Sequence, residues 1–280
     1  MVIFLTGGSG FIGKNFLKLA LSKGHFIYAL SRKKKNKKRK NLKWLKGELD
    51  DDWSKYFEKA DVIVHLAAIG LKKMPNGQSY KVLELNVKKS YNMILNAVSA
   101  GCKNFVIGST SSEYKNNGLC NQKKLCKNSE RGFNSIYSLS KIIFSDLIKH
   151  FSYKKRGKFR IMRIFPTYGS GEVKTRLYPR LKKYAKEGKN IKILNPFEKR
   201  DFTKVDYVAK VLLEACVFRS NKAFEIFHVS SNKPQRVLDF SKLIWKKFKG
   251  KGKVLFNYNS KKNFRHISDI NSTWKLKNEK

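Results

Sequence analysis

The chain opens on a short apolar run, Val2-Ile3-Phe4-Leu5, that passes straight into Thr6-Gly7-Gly8-Ser9-Gly10-Phe11-Ile12-Gly13. A strand, a glycine-rich turn and a helix start are compressed into this segment, and an amphipathic stretch over 14–23 follows. A helix beginning after such a turn presents unpaired backbone N–H groups and the positive end of its dipole, which together suit a phosphate. The glycines let the backbone turn sharply, approach a pyrophosphate and pack helix against strand. The β-like run before the turn and the amphipathic run after it favour a dinucleotide site over a turn that merely ends a strand.

With 280 residues, 41% of them hydrophobic, the chain can bury a full core as one large domain or as a domain with a smaller lobe. No apolar run approaches the roughly 20 residues needed to span a bilayer. The first apolar run is too short for a signal peptide, so a cytoplasmic location is expected. The four cysteines, Cys102, Cys120, Cys126 and Cys216, show no CxxC spacing and no nearby histidine. That argues for reduced thiols and against a zinc site or a disulfide framework. The net charge of +42 invites a nucleic-acid reading. Its excess is mostly Lys, however, spread along the whole chain beside abundant Asn. Base readout favours Arg and single-strand binding favours interleaved aromatics, and neither is concentrated here. No specific nucleic-acid partner is therefore expected, although the field steers anionic small molecules toward the protein. The Lys33–Lys40 run is expected to be a solvated loop.

Strand-like runs at 26–30, 61–66, 104–109 and 159–165 alternate with helical ones at 80–100 and 135–151. Strands separated by helices imply parallel βαβ units in a doubly wound sheet, with ligands at the strand C-terminal ends. From Pro166 the pattern loosens, around a basic helix near 178–187, a helix over 205–217 and a short strand over 224–230. The expected architecture is α/β: a doubly wound parallel sheet with a small, interleaved C-terminal substrate lobe. The dinucleotide-binding domain is assigned to 1–165 and about 200–230, and the lobe to 166–199 and 231–280.

Inside the long helix, Tyr137-Ser138-Leu139-Ser140-Lys141 puts Tyr137 and Lys141 at i, i+4 on one face. An ammonium beside a phenol favours the phenolate and lowers its pKa, so such a tyrosine can exchange a proton with a sugar hydroxyl or carbonyl. A surface Tyr/Lys pair on a Lys-rich helix is the alternative, and the upstream glycine turn weighs against it. Ser109-Thr110-Ser111-Ser112 follows the 104–109 strand, where hydroxyls can bond a reacting oxygen or simply form a polar turn.

With these motifs in view, the chain resembles the extended short-chain dehydrogenase/reductase superfamily, specifically the NAD-dependent epimerase/dehydratase family acting on nucleotide sugars. The similarity covers about residues 1–230, with a weaker echo to about 276. It is carried by Thr6–Gly13, His65-Leu66-Ala67-Ala68, Asn86-Val87, Ser109-Thr110, Tyr137–Lys141, Arg163–Gly171 and Arg200–Asp206. The resemblance implies a Rossmann fold with Gly7, Gly10, Phe11, Ile12 and Gly13 around the cofactor pyrophosphate. Glu48 and Leu49 would stand beside the adenine, and Leu66, Ala67 and Ala68 would line the cofactor. Asn86 would brace the active-site helix. Tyr137 would be the general acid/base, Lys141 its tuner and ribose ligand, and Thr110 the catalytic hydroxyl, with Ser111 and Thr167 beside the substrate. Arg200 would face the substrate diphosphate, with Arg176 and Arg265 as weaker candidates for the same anion. A homodimer through two long helices is common in the resembling family.

Three departures narrow the reading. The acidic residue that holds the adenosine ribose in NAD-using members aligns with Ser31, followed by Arg32 and Lys33, which favours NADP over NAD. Dehydratases of the family place an acidic pair directly after the Thr, whereas here Ser111 and Ser112 stand there and Glu113 is offset, which disfavours dehydration. Pro166 replaces the usual Asn. The leading expectation is an NADP-dependent 4-ketoreductase of a nucleotide deoxyhexose in surface polysaccharide synthesis. A nucleotide-sugar 4-epimerase is the alternative, and a non-catalytic relative that senses NADP or binds RNA is a third reading.

Overall fold

The computed structural model describes residues 1–35, 39–71, 75, 77–115, 124–154, 157–257, 265–267 and 271–276. Its framework is one seven-stranded parallel sheet. The first six strands are β1 (Val2–Thr6), β2 (Phe26–Ser31), β3 (Leu42–Lys46), β4 (Val62–His65), β5 (Asn104–Thr110) and β6 (Lys158–Ile164). The short strands β7 (Thr167–Tyr168), β8 (Ile191–Ile193), β9 (Lys199–Asp201) and β10 (Thr203–Lys204) lie outside it, and β11 (Phe224–Val229) returns to it beside β6. The sheet order is β11-β6-β5-β4-β1-β2-β3. The direction of winding reverses between β1 and β4, and the crevice beyond their C-terminal ends is where such sheets bind ligands. The central strands read as continuous apolar runs because helices cover both faces.

One face is covered by α1 (Phe11–Ser22), whose Phe16, Leu17 and Ala20 are buried in one core cluster with Val208, Leu212 and Ala215. The other carries α2 (Ser54–Phe57), then α3 (Tyr80–Leu83), which continues through a π-helical turn over Glu84–Lys89 into α4 (Ser90–Ser99), and then α5 (Ile136–Lys154). There Phe57, Met93, Ile94, Ala97, Phe144 and Ile148 form a second cluster. Full burial of each of the larger of these side chains contributes about 1.5–3 kcal/mol. A third cluster joins α6 (Leu177–Lys186) to a further helix. The latter follows α7 (Val205–Val217) and is α8 (Val237–Lys247); Leu181, Ala185, Phe202, Phe240 and Ile244 lie between α6 and α8. The remaining strands, β12 (Pro234–Arg236), β13 (Val254–Phe256) and β14 (Arg265–His266), pair with β9, β8 and β9 respectively. Near the end of the chain, Thr273 bridges to His228, and Trp274 and Leu276 rejoin the first cluster.

The six strands and five helices expected from sequence all form, with ends shifted by a few residues and the 80–100 helix carrying the π-helical turn. β3 was not expected. Its Leu-Lys-Trp-Leu-Lys run is an edge strand, and its two lysines, Lys43 and Lys46, are exposed. α8 went unread because its apolar stripe, Val237, Phe240, Ile244, is meaningful only against α6. Arg32–Lys35, Arg39 and Lys40 are exposed, as expected of the basic run, while 36–38 and Cys120 lie outside the described residues. Among the described residues no helix is long and apolar enough to cross a membrane, and no three His, Cys, Asp or Glu side chains gather to hold a metal ion.

Candidate active site

The glycine turn follows β1 at the winding reversal. Gly7 has φ +72°, and a Cβ there would stand 2.5 Å from the Leu66 carbonyl carbon and 2.6 Å from the Ala67 nitrogen. Only glycine lets the turn lie so close to the end of β4. A Cβ at Gly13 would fall 2.1 Å from the Gly7 carbonyl oxygen, so Gly13 seats α1 on the turn. Gly10 differs: its φ is −76°, and a Cβ would meet only the Gly7 oxygen, at 3.2 Å. Its open side is where a phosphate can approach the backbone. No side chain caps the α1 N-terminus and no acidic residue stands in its first turn, so the N–H groups and the dipole remain available to an anion. Phe11 and Ile12 begin the helix, half-buried. The cradle therefore fits a dinucleotide pyrophosphate.

Around it, Thr6 Oγ1 hydrogen-bonds His65 Nδ1 at 2.8 Å and accepts from the Ala67 N–H at 3.2 Å. These bonds fix the start of the Leu66-Ala67-Ala68 segment beside the turn. His65 is fully enclosed, and burial pulls it down to about 3, so its ring stays neutral. Asn86, buried inside the π-helical turn, accepts from Ile69 N–H and donates to Ile69 O, both at 2.9 Å, and donates to Ser140 Oγ at 3.0 Å. It thus staples the segment after β4 to α5 between Tyr137 and Lys141. π-turns recur at functional sites because they re-aim such side chains. Leu49 packs in the second core cluster, whereas Glu48 is part-exposed, with the Lys89 Nζ 3.9 Å away. Ser31 is buried and its hydroxyl donates to the Lys33 carbonyl at 2.9 Å, while Arg32 and Lys33 are exposed beyond it at the end of β2.

Tyr137 sits half-buried on α5, and Lys141, one turn on, is buried. The expected lowering of the phenol by its neighbour does not occur. Lys141 Nζ turns into the sheet and donates to the Gly108 carbonyl at 2.8 Å. Burial and the charge of Glu113 raise Tyr137, and Arg176 alone works against them. The amine itself is pulled down to about 8 by desolvation, with Glu113 opposing. Thr110 ends β5, and its Oγ1 accepts from Ser112 N–H at 3.1 Å, which opens a short 3-10 turn over Ser111–Glu113. Ser111 is buried in that turn.

The remaining candidates spread toward the lobe. Arg176, exposed at the residue before α6, carries the charge that opposes the raising of Tyr137. Thr167 Oγ1 donates to the Phe165 carbonyl at 2.8 Å. The Arg200 Nε and Nη2 form a bidentate pair with the buried Glu198, at 2.6 and 2.7 Å, which leaves the opposite edge of the guanidinium for an anion. Arg265 is beside Lys199 in the β14–β9 register, which brings it next to the Arg200 strand; its side chain lies outside the described residues.

Sequence reasoning missed the polar network beneath the site. Glu113 is fully buried and paired with Arg163 at 3.0 Å. Arg163 also donates to Tyr114 OH at 2.6 Å, and that hydroxyl shares a hydrogen bond with His228 Nε2. The one sequence signal was an acidic residue within an apolar–Ser/Thr strand end. Nearby, the loop after β7 rests on α1, where Asn15 Nδ2 donates to the Ser170 carbonyl at 3.1 Å. In this loop Glu172 Oε2 is buried without a hydrogen-bond partner, and burial raises its carboxyl from 4.5 to about 7, with Arg176 opposing. A folded-state value above the unfolded one means that stability is fully present below about pH 4.5 and is lost as pH rises through about 7. Glu172→Gln should therefore stabilise the fold by roughly 1–2 kcal/mol near pH 8 and by about nothing near pH 4, as read by denaturant melts across pH.

A winding reversal lined by a glycine turn, with a Tyr/Lys pair on the flanking helix, defines an α/β enzyme of the dinucleotide-binding class. The chain belongs to the NAD dependent epimerase/dehydratase family, whose sequence profile matches residues 3–230. Among solved structures, MoeE5 in complex with UDP-glucuronic acid and NAD gives a TM-score of 0.83 at 19% identity, over 99% of this chain and 94% of its own. The UDP-N-acetylglucosamine 4-epimerase of Methanobrevibacter ruminantium, in complex with UDP-N-acetylmuramic acid, gives 0.82 at 20% identity, over 96% and 89%. TunA, an NAD-dependent NDP-hexosamine 5,6-dehydratase, gives 0.78 at 21% identity, over 96% and 88%. At these identities the likeness is one of fold. No curated protein matches the chain significantly.

Proposed function

We propose that the chain is an NADP-preferring 4-ketoreductase of a nucleotide deoxyhexose, acting in the cytoplasm in surface polysaccharide synthesis. The observation that carries the redox reading is that Thr110 ends β5 while Lys141, on the helix that also bears Tyr137, bonds the Gly108 carbonyl of that same strand. A nicotinamide cofactor bound there would supply or take up a hydride. Gly7, Gly10, Phe11, Ile12 and Gly13 hold its pyrophosphate, Leu66, Ala67 and Ala68 line it, and Glu48 and Leu49 flank its adenine. Tyr137 delivers the proton to the sugar O4, and Thr110 hydrogen-bonds that oxygen. Burial holds the phenol protonated, which suits a proton donor in the reducing direction. Lys141 would hold the cofactor ribose. Arg200, preset by Glu198, takes the substrate diphosphate, supported by Arg176 and Arg265, with Ser111 and Thr167 beside the sugar.

Two features bear on which redox enzyme this is. Glu113 is locked into Arg163 and has no path to a substrate, so the acid an elimination requires is absent from the positions after Thr110. The exposed Arg32 and Lys33 at the end of β2 suit a 2′-phosphate, and a cofactor that is exchanged at each turnover suits net reduction. Arg32→Asp should move the kcat/KM ratio at least about tenfold toward NADH. Unchanged selectivity removes the NADP assignment. A 4-epimerase is the second reading, favoured by the epimerases among the similar folds. Incubation of NADPH with a panel of 4-keto nucleotide sugars separates the two: loss of reduced-nicotinamide absorbance supports the reductase, and retained NAD with interconversion of 4-epimers supports the epimerase.

The division of the chain into a dinucleotide-binding domain (1–165 and about 200–230) and a substrate lobe (166–199 and 231–280) belongs to the same proposal. So does a homodimer through the helices over 80–99 and 136–154, where Tyr80 and Tyr153 are exposed. Light scattering tests the latter.

A further inference from the structure

We propose that Glu113 is a positioning residue of this site, tying the strand end that bears Thr110 to the helix that bears Tyr137 and Lys141, and facing Lys141 with a buried negative charge. The proposal rests on the reading of Tyr137, Lys141 and Thr110 as the reacting set.

The geometry converges on one carboxylate. Glu113 closes the turn that starts at Thr110 and has no exposed surface. Its Oε1 accepts from the Ser109 hydroxyl on β5 and, at 3.5 Å, from the Ser145 hydroxyl on α5. Its Oε2 accepts from Arg163 Nε on β6 at 3.1 Å. Ser109 lies between Gly108, whose carbonyl holds Lys141, and Thr110; Ser145 lies one helical turn beyond Lys141. Thr110 is therefore anchored to this carboxylate within one residue and Lys141 within one turn, with Tyr137 one turn further along α5. A buried carboxylate costs several kcal/mol unless it is paired and fully hydrogen-bonded, and removing one partner of such a pair is strongly destabilising. Glu113 meets the condition with donors from three elements, so it defines their relative position sharply.

The charges around it are Arg163 on β6, with Tyr114 and His228 behind it, Arg131 at the start of the segment leading into α5, and Tyr137 and Lys141 on α5. His65 also faces Lys141 and is neutral. Desolvation disfavours the Lys141 ammonium, and Glu113 is the charge that counters it. Glu113 also disfavours the Tyr137 phenolate. Burial raises the Glu113 carboxyl itself, with Arg163 and the Ser109 hydroxyl opposing, and in its ionised form it favours the protonated state of both partners.

The test is NADPH binding, followed by nicotinamide fluorescence from about pH 6 to about pH 10, in wild type, Glu113→Gln and Glu113→Gln/Arg163→Gln. The double variant removes both charges and so avoids leaving an unpaired guanidinium buried in Glu113→Gln. The expected result is affinity within about threefold of wild type near pH 6.5, with the alkaline fall moved at least about half a pH unit lower. The kcat is expected to fall at least about tenfold with KM nearly unchanged, because the reacting geometry loosens. An alkaline fall at the wild-type pH in the folded variants overturns the proposal, as does a uniform loss of affinity at every pH. Failure of the wild-type chain to bind a nicotinamide cofactor at all overturns the reading on which the proposal rests, and the two failures are thereby told apart.

Discussion

Tyr137→Phe is expected to lower turnover by roughly 10²–10⁴-fold, the usual contribution of a positioned general acid or base. The substitution removes one oxygen from a half-buried ring on α5 and leaves the ring packing intact. Cofactor affinity should stay within about threefold of wild type, because the pyrophosphate cradle and Lys141 are untouched. The comparison is made by steady-state rates beside a fluorescence titration of NADPH. A variant that turns over normally removes Tyr137 from the chemistry, and one that has lost cofactor as well shows that the phenol holds the site together instead. The raised phenol adds a direction in pH. Burial and Glu113 favour the protonated form, so a step that needs Tyr137 as base is slowest at low pH and gains rate toward alkaline pH.

Gly13→Ala should be strongly destabilising. Its Cβ would stand 2.1 Å from the Gly7 carbonyl oxygen and 2.8 Å from the carbonyl carbon, so the added atom meets backbone that no rotamer can move. Either α1 lifts from the turn or the turn opens. The first costs packing of Phe16, Leu17 and Ala20 against Val208 and Leu212. The second disturbs the close approach of Gly7 to Leu66 and Ala67. Overpacking costs typically 1–3 kcal/mol, and a backbone clash lies at or above the top of that range, for a drop of about 6 °C or more in Tm. Gly10→Ala is the paired control. With φ at −76° and a single neighbour at 3.2 Å, it should melt within about 2 °C of wild type yet bind NADPH at least about tenfold more weakly, since its methyl fills the approach to the phosphate. Equal melting temperatures for Gly13→Ala and wild type would refute this account of the turn.

Much of this arrangement was legible in the primary structure because its signals are local. Val2–Gly13 combines a strand run, a turn and a helix start, and elementary stereochemistry allows few other conformations for it. Buried parallel strands leave apolar runs, and helices leave a 3.6-residue period, so the order of the central elements followed directly. Tyr137 and Lys141 could be paired because helical spacing alone puts them on one face. The segments that escaped notice are those whose order depends on distant partners. β3 is an edge strand whose exposed Lys43 and Lys46 break the alternation, and the lobe strands β7–β10 and β12–β14 are two or three residues each, too short for any period to show.

What the linear chain settled by itself was the doubly wound class, the tight glycine turn that seats α1 after β1 and the i, i+4 placement of phenol and amine, all consequences of interactions within a few residues. What only the folded molecule decided was where charge goes. Lys141 turns to the Gly108 carbonyl instead of the phenol, Glu113 disappears into Arg163 across fifty residues of chain, and Arg200 is gripped by Glu198. Electrostatic partners are set by burial and by proximity in three dimensions, since desolvation makes an unpaired buried charge too costly to leave alone, and neither quantity can be read from spacing along the sequence.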